Sequence, residues 1–302
     1  MTAQLHPDEP MAAHVSWRAG GHARQAIHPA DRHSLAAFLA GLPVREPVLF
    51  VGLGSNLLIR DGGYRGTVIL MHNTRGEIRC EKSLIFADAG VACPKLARYA
   101  AGHGFAGSEF LAGIPGTVGG ALEMNAGCYG SETWDVVSKV ETIDRRGKFH
   151  QRFPDDYEIS YRQCRRRTQS TALDEAEQTE EWFTGAWFSF PPGDVTAARA
   201  RIRDLLVQRV ATQPLNLPNA GSVFRNPPGD FAARLIESCG LKGLTVGGAQ
   251  VSTKHANFIV NPGGAGSAAD IETLINTVRR IVRERTGVDL HQEVRILGEA
   301  LQ

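Results

Sequence analysis

The chain has 302 residues, 42% of them hydrophobic and 22% charged, with a formal net charge of +1. That length suits two or three domains, and the balanced charge excludes a whole-molecule field for nucleic acid or an anionic membrane. Five widely spaced cysteines without a C-x-x-C exclude a zinc ribbon or a disulfide framework and suit a reducing cytoplasm, and no apolar run approaches the ~20 residues of a membrane span.

The first residues, M-T-A-Q-L-H-P-D-E-P, lack the apolar core of a signal peptide, and 1–13 are expected to form a flexible tail. Leu35, Phe38 and Leu39 fall at helical spacing and predict a helix over Asp31–Ala40, stopped by Gly41. Apolar runs bounded by glycine or polar residues predict strands at Val48–Val51, Thr67–Met71, Leu84–Ala87, Val136–Ile143 and Trp182–Phe190, then Asn257–Val260 and Glu293–Leu297. Pro94 suits the first position of a helix over Pro94–Ala101. Asp194 can cap a helix carrying Val195, Ala198, Ile202, Leu205 and Leu206 on one face and running to Pro214. Ser267 can cap a long helix with Ile271, Leu274, Ile275, Val278, Ile281 and Val282 as its buried stripe, and Gly287 as its stop.

The vocabulary changes near Pro191-Pro192-Gly193, from strand-rich and glycine-punctuated to helices alternating with short strands. A boundary is expected there, with a softer one in the turn-rich Arg60–Gly66 region. No repeat is visible, and the fold class is α+β. Arg165–Arg167, followed by a polar, acidic stretch to Glu181, reads as a solvated loop.

Two glycine-rich segments stand out. Val51-Gly52-Leu53-Gly54-Ser55-Asn56 follows an apolar run, and strand, glycine turn, then hydroxyl and amide is a phosphate-cradle order. It lacks the third glycine and long helix of a dinucleotide fingerprint and the Lys-Ser/Thr ending of a P-loop. About sixty residues on, Ala112–Gly130 reads A-G-I-P-G-T-V-G-G-A-L-E-M-N-A-G-C-Y-G, a composition that lets backbone approach a ligand or another backbone closely. Each segment alone fits a tight turn as well as a cradle for an anion. No G-x-S-x-G elbow occurs, so a hydrolase-type serine nucleophile is not indicated.

Six segments in order resemble the UDP-N-acetylenolpyruvoylglucosamine reductase family, flavoenzymes of peptidoglycan precursor synthesis. They are His14–Gly21 (H-V-S-W-R-A-G-G), G-L-G-S-N-L-L from Gly52, the Ala112–Gly130 stretch, Ser160-Tyr161-Arg162, Ala220–Pro227 (A-G-S-V-F-R-N-P) and Glu293-Val294-Arg295. The resemblance runs from about residue 14 to the C-terminus and is closer to the shorter subclass, without an inserted tyrosine-bearing loop. It implies an FAD-binding part of the vanillyl-alcohol-oxidase type in two subdomains, 14–66 and 67–193. A substrate-binding α+β domain would follow over 194–302, its last strand returning to the active site.

The resemblance further implies FAD held by Gly52, Leu53, Gly54, Ser55 and Asn56, by Gly113, Ile114, Pro115, Gly116, Thr117, Gly119 and Gly120, and by Asn125, Ala126 and Gly127. NADPH would reduce the flavin as co-substrate, then give way to UDP-N-acetylglucosamine enolpyruvate. Arg162 would bind the carboxylate where negative charge develops, since a guanidinium stays protonated and binds carboxylates bidentately. Ser222 would donate the proton, and Glu293 would position or polarise the substrate carboxyl. Arg225 and Asn226 would meet the diphosphate or sugar. No metal, nucleic acid or membrane is implied, and a cytoplasmic monomer is expected. The chain departs from the family pattern at Cys164, where serine is usual, and at Arg225, where lysine is more common. Two rival readings share the glycine segments or the nucleotide chemistry: another FAD oxidoreductase of the same flavin-binding fold, and a non-catalytic nucleotide-sugar binding protein.

Overall fold

Ser267 starts a 19-residue helix, Ala268–Thr286, with a reciprocal cap. Its hydroxyl accepts the Asp270 N–H at 3.1 Å, and the Asp270 carboxylate accepts the Ser267 N–H at 3.0 Å. Two further first-turn donors, the N–H groups of Ala268 and Ala269, reach the Asp61 carboxylate at 3.0 and 2.8 Å. Gly287 ends the helix at φ 75°, a left-handed conformation in which it donates its N–H to Arg283. Ile271, Leu274, Ile275, Val278 and Val282 line the buried face, as their spacing predicts.

The computed structural model describes residues 4–72, 76–167 and 180–301. The described residues gather into two compact units. The first takes Met1–Leu5, Ile27–Gly52 and Val68–Val207; the second takes His6–Ala26, Leu53–Thr67 and Gln208–Gln302. The chain changes unit at Leu5/His6, Ala26/Ile27, Gly52/Leu53, Thr67/Val68 and Val207/Gln208. The change at Thr67/Val68 lies one residue from the break expected after 66, and that at Val207/Gln208 lies inside the helix Val195–Thr212, beyond the break expected after 193. Those at Leu5/His6, Ala26/Ile27 and Gly52/Leu53 fall where the sequence marks none.

In the first unit, an antiparallel five-stranded sheet runs in the order Phe149–Arg152, Val137–Asp144, Glu181–Ser189, Leu84–Asp88, Ile78–Glu81. Ile85, Ala87, Val140, Ala186 and Phe188 pack with Leu96 and Ala97 of the helix Cys93–Gly102, and with Val118 and Leu122 of the short helix Val118–Glu123. A smaller core joins Leu35 and Leu39 of the helix Arg32–Gly41 to Ile27, Ile69 and Ile143. Asp31 caps that helix by accepting the Ser34 N–H at 2.8 Å.

The second unit holds an antiparallel set, Thr245–Val246, Ala249–Val251 and Ile259–Val260, and a parallel pair, Leu57–Ile59 with Arg295–Leu297. Its core gathers Trp17, Leu58, Phe224, Leu235, Ile259 and the buried stripe of the long helix. Trp17 is fully buried, and its indole N–H is satisfied by the Ile259 carbonyl at 2.7 Å.

The expected strands at Val48–Val51, Leu84–Ala87, Val136–Ile143 and Trp182–Phe190 appear within one residue at each end. Asp194 caps Val195–Thr212 by accepting the Ala197 N–H at 2.7 Å. The expectation of a flexible tail over 1–13 needs correction. Gln4–Pro10 is a strand at a sheet edge, where prolines are tolerated, and Met11–Ala13 is a 3-10 turn. Met11 is fully buried and its N–H donates to the Gly21 carbonyl at 3.1 Å, which ties this segment down. The strand expected from Asn257 begins at Ile259, because the Phe258 N–H turns back to the His255 carbonyl. Two helices were not legible: Val118–Glu123, inside the glycine-rich stretch, and Ala232–Ser238. The polar insertion expected at 168–181 lies, over 168–179, outside the described residues.

Between the strands Val137–Asp144 and Phe149–Arg152, Asp144 folds a tight turn. Its Oδ1 accepts the N–H groups of Arg146 and Lys148, each at 2.9 Å, and its Oδ2 meets His150 Nε2 at 2.9 Å. Burial raises the Asp144 carboxyl, but these hydrogen bonds outweigh it and hold the group below the usual aspartate value. A carboxylate depressed in the folded state contributes stability above its unfolded value of ~3.9, and that contribution is lost as pH falls through the lower folded value. Asp144→Asn is therefore expected to lower stability at neutral pH and to flatten its decline below about pH 4, read by denaturation at a series of pH values. Gly287→Ala should cost about 1–2 kcal/mol, since nothing crowds a Cβ there and only the left-handed φ is penalised. That corresponds to a drop of roughly 2–4 °C in melting temperature.

Candidate functional site

The glycines of the 112–130 stretch are explained first by what lies against them. In the first unit, a Cβ on Gly52 would sit 2.2 Å from Thr117 Oγ1, so the end of the first glycine segment rests directly on the second. A Cβ on Gly113 would come within 2.6 Å of Cys128 Sγ and of the Tyr129 ring, so the stretch folds back on itself. Thr117 caps Val118–Glu123. The N–H groups of Val118 and Gly119 donate to the carbonyls of Val91 and Ala89, both at 2.8 Å, and Gly116 accepts from Cys93 at 3.0 Å. These bonds hold the loop's shape. Pro115 and Gly120 lie exposed around buried Gly116 and Thr117, so the loop offers nearly bare backbone at its surface.

The end of the stretch holds Arg162. Strands Tyr157–Ser160 and Gln163–Arg166 pair through a two-residue turn, and Arg162 occupies its second position at φ 56°. From there its Nη1 donates to the Asn125 carbonyl at 3.3 Å and its Nη2 to the Gly127 carbonyl at 3.0 Å. Glu132 Oε1 lies 3.7 Å from Nη1, and the guanidinium carbon lies 4.8 Å from the centroid of the Tyr161 ring. Asn125, at φ 40° and 1% exposed, is fully engaged itself. Its Nδ2 donates to Glu132 Oε2 at 2.7 Å and to the Ser160 carbonyl at 3.1 Å, while its Oδ1 accepts the Trp134 N–H at 3.1 Å. Cys164 pairs with Ile159 in the same hairpin, and burial pushes its thiol up to about 12. It is a neutral side chain at physiological pH, so the departure from serine adds no charge near Arg162.

In the second unit, Ser222 and Glu293 are brought together although 71 positions separate them in the chain. The Glu293 N–H donates to the carbonyl of Val223, next to Ser222, at 2.8 Å. The Arg225 N–H donates to the His291 carbonyl at 2.8 Å, so 223–225 and 291–293 run side by side. Buried Asn257 clamps the serine segment: its Oδ1 accepts the Phe224 N–H at 3.0 Å, its Nδ2 donates to the Phe224 carbonyl at 2.8 Å, and its own carbonyl accepts the Val223 N–H at 2.9 Å. Asn219 shapes the preceding turn by accepting the Gly221 N–H at 2.9 Å.

The first glycine segment reaches this cluster. Asn56 Nδ2 donates to the Glu293 carbonyl at 3.2 Å, and the Asn56 carbonyl accepts the Arg295 N–H at 3.0 Å. Gly54, at φ 59°, lies against the H-V-S-W segment: a Cβ there would be 2.1 Å from the His14 carbonyl oxygen. Asn226 Oδ1 accepts the Ala232 N–H at 3.1 Å at the start of Ala232–Ser238, so part of its amide serves that helix. His255 lies against Phe258 with ring centroids 4.7 Å apart, and burial lowers its pKa, which favours the neutral imidazole.

The sequence-predicted residues thus fall into two sets. Gly52, Gly113–Gly120, Asn125–Gly127 and Arg162 lie in the first unit; Leu53–Asn56, Ser222, Arg225, Asn226 and Glu293 lie in the second. Glu132, Asn219 and Asn257 escaped sequence reading. Each is a carboxylate or amide of ordinary type; the Asn257 partner is 33 residues away, and those of Glu132 and Asn219 lie nearby in loops that carry no periodic pattern. The thin backbone from exposed Pro115 to Gly120, where Gly52 packs on Thr117 and Gly119 and Gly120 form the first turn of a short helix, suits the close approach of a large anionic cofactor such as a dinucleotide. Among the described residues, no group of three or more His, Cys, Asp or Glu could hold a metal ion, and no helix is long and apolar enough to cross a membrane.

Comparison with known proteins adds two family models. Residues 23–151 match an FAD binding domain, and residues 213–297 match the C-terminal domain of UDP-N-acetylenolpyruvoylglucosamine reductase. Curated proteins called UDP-N-acetylenolpyruvoylglucosamine reductase align over nearly the whole chain. The one from Nitrosospira multiformis is 55% identical, covering 98% of this chain and 89% of its own. That from Thiobacillus denitrificans is 56% identical, covering 97% and 91%. The crystal structure of UDP-N-acetylenolpyruvylglucosamine reductase from Thermus caldophilus superposes with a TM-score of 0.77 at 30% identity, covering 98% of this chain and 99% of its own.

Asn257→Ala removes both side-chain bonds to Phe224 and leaves two buried main-chain groups unsatisfied. It is expected to cost about 2–4 kcal/mol in denaturant unfolding.

Proposed function

The chain belongs to the UDP-N-acetylenolpyruvoylglucosamine reductase family, and on that premise we propose which of its residues carry out the family's reaction. The protein is an FAD-containing oxidoreductase that reduces UDP-N-acetylglucosamine enolpyruvate to UDP-N-acetylmuramate, with NADPH as reductant, in peptidoglycan precursor synthesis. The rival flavin oxidoreductase and the non-catalytic binder are set aside by that membership.

FAD, when bound, would supply the hydride chemistry that links NADPH to the enolpyruvyl methylene carbon. The segments Gly52–Asn56, Gly113–Gly120 and Asn125–Gly127 would hold the cofactor, their backbone doing the work that side chains would obstruct. The Arg162 guanidinium receives the substrate carboxylate and stabilises the negative charge that builds there as the double bond is reduced. The adjacent carbon then needs a proton. An enolate carbon is a stronger base than an alkoxide, so the neutral hydroxyl of Ser222 is an adequate donor without an activating histidine. Glu293 lies on the segment paired with Val223 and aids polarisation of the same carboxyl. Arg225 and Asn226 follow Ser222 directly and contact the diphosphate or sugar.

The observation that carries this reading is the hydrogen bond from the Glu293 N–H to the Val223 carbonyl, with Asn56 bound to the Glu293 carbonyl. It supports the reading because it ties the segments carrying Ser222, Glu293 and Asn56 together through hydrogen bonds to main-chain groups. In the same reading, 14–66 and 67–193 serve the flavin and 194–302 the substrate. The chain acts as a cytoplasmic monomer of the shorter subclass.

Rapid mixing under anaerobic conditions separates the two halves of the reaction. NADPH is expected to bleach the flavin of Ser222→Ala, Glu293→Gln and Arg162→Lys at rates close to wild type. Reoxidation by UDP-N-acetylglucosamine enolpyruvate should then slow by roughly 10²–10⁴-fold in each. Wild-type reoxidation in Ser222→Ala would remove that residue as proton donor.

A further inference from the structure

Arg162 does not hold its own position. It sits at the tip of a two-residue turn, in a left-handed conformation that arginine adopts only under constraint. Besides the neighbouring Tyr161 ring, one short region, Asn125–Glu132, supplies main-chain and side-chain contacts that place its guanidinium. Asn125 and Gly127 supply the carbonyls that accept from Nη1 and Nη2 at 3.3 and 3.0 Å. The Asn125 amide also fixes the residue just before the turn, donating to the Ser160 carbonyl at 3.1 Å. The shortest bond of that amide is to Glu132 Oε2, at 2.7 Å.

Glu132 is itself rigidly mounted. Its backbone pairs with Gly127, and its N–H donates to Asp135 Oδ2 at 2.8 Å. Its other oxygen, Oε1, stays 3.7 Å from Arg162 Nη1, longer than a hydrogen bond. Glu132 thus touches Arg162 weakly and directly, but strongly and indirectly through Asn125. A Cβ on Gly127 would fall 3.0 Å from Glu132 Cγ and 3.1 Å from Arg162 Nη1, so glycine is what allows the two side chains to share this corner.

We propose that Glu132, acting through Asn125, is the positioning residue that orients Arg162 for the substrate carboxylate. An arginine side chain has many rotamers, and a carboxylate that arrives at a fixed fork forgoes the cost of selecting one. The proposal rests on the assignment of Arg162 to that carboxylate. It assigns the glycine-rich stretch a second task, since its last residues hold a side chain in place as its first ones shape a cofactor loop.

A double-mutant cycle with the flavin-loaded enzyme tests this. Substrate affinity is read without turnover, from the change in flavin absorbance when UDP-N-acetylglucosamine enolpyruvate binds the oxidised enzyme. Turnover gives kcat and KM for the same substrate. Glu132→Ala is expected to weaken binding and lower kcat/KM by about 10–100-fold, with flavin reduction by NADPH unchanged. Glu132→Gln keeps an oxygen to accept from Asn125 and should stay within about threefold of wild type. In an Arg162→Lys background, Glu132→Ala should cost less than about threefold further, because its route of action is already gone. If Glu132→Ala does not fold, Glu132→Asp, which withdraws the carboxylate by one methylene, enters the same cycle.

A loss that persists in full in the Arg162→Lys background overturns the proposal, as does a Glu132→Gln as impaired as Glu132→Ala. Wild-type binding and kcat/KM in Arg162→Lys alone would instead overturn the role given to Arg162, and this inference with it.

Discussion

Main chain lies against its neighbours, backbone and side chain alike, at closer range than a Cβ permits, and the candidate site depends on this contact. Gly54 approaches the His14 carbonyl, Gly52 the Thr117 side chain, Gly113 the Cys128–Tyr129 turn, and Gly127 the Glu132 and Arg162 side chains. Replacing any one of these glycines by the next smallest residue would push a carbon to within about 3 Å of its neighbour. A protein built this way trades side-chain packing for access. The loops are thin enough for a large anionic cofactor to reach their backbone, and they are held by their own hydrogen bonds rather than by the ligand's.

Buried and half-buried amides do the complementary work. Asn56, Asn125, Asn219 and Asn257 each bind main-chain groups of segments distant in sequence or of the turn they shape. Asn261 does the same for the H-V-S-W-R-A-G-G segment, donating to the Trp17 carbonyl at 3.0 Å and accepting the Gly266 N–H at 2.7 Å. An amide offers both donors and acceptors, so one side chain can satisfy an irregular backbone that no ladder reaches. Functional loops need this kind of support because regular secondary structure cannot bend as they do.

Much of the architecture was legible before any coordinates, and for identifiable reasons. The helix from Ala268 announced itself through Ser267, an apolar stripe and Gly287, all local signals. Asp31 and Asp194 marked their helices in the same way. Arg162, Ser222 and Glu293 were named from motif resemblance, and the pairing of Glu293 with Val223 brings two of them side by side. What escaped was non-local. The start of the chain looked like a tail because its prolines and charges disfavour a central strand, whereas a place at a sheet edge accommodates both. The helix Val118–Glu123 was hidden by two glycines in its first turn, and it persists because Val118, Ala121 and Leu122 are buried. Glu132 resembled any surface carboxylate until Asn125 was seen to lie between it and the arginine turn.

The parallel pairing of Leu57–Ile59 with Arg295–Leu297 has a consequence for how the protein is made. Leu57, Leu58 and Ile59 leave the ribosome more than two hundred residues ahead of the strand they pair with. Asp61 waits in the same way for the helix start at Ala268 and Ala269. At about 5–20 residues per second, synthesis of the intervening chain takes on the order of ten seconds or more. During that interval an apolar strand lacks its native neighbour, an exposed edge open to the wrong partner. The second unit therefore cannot complete this pair until more than two hundred further residues have emerged, and forming it closes a long loop whose entropic cost is set by topology rather than by any single contact.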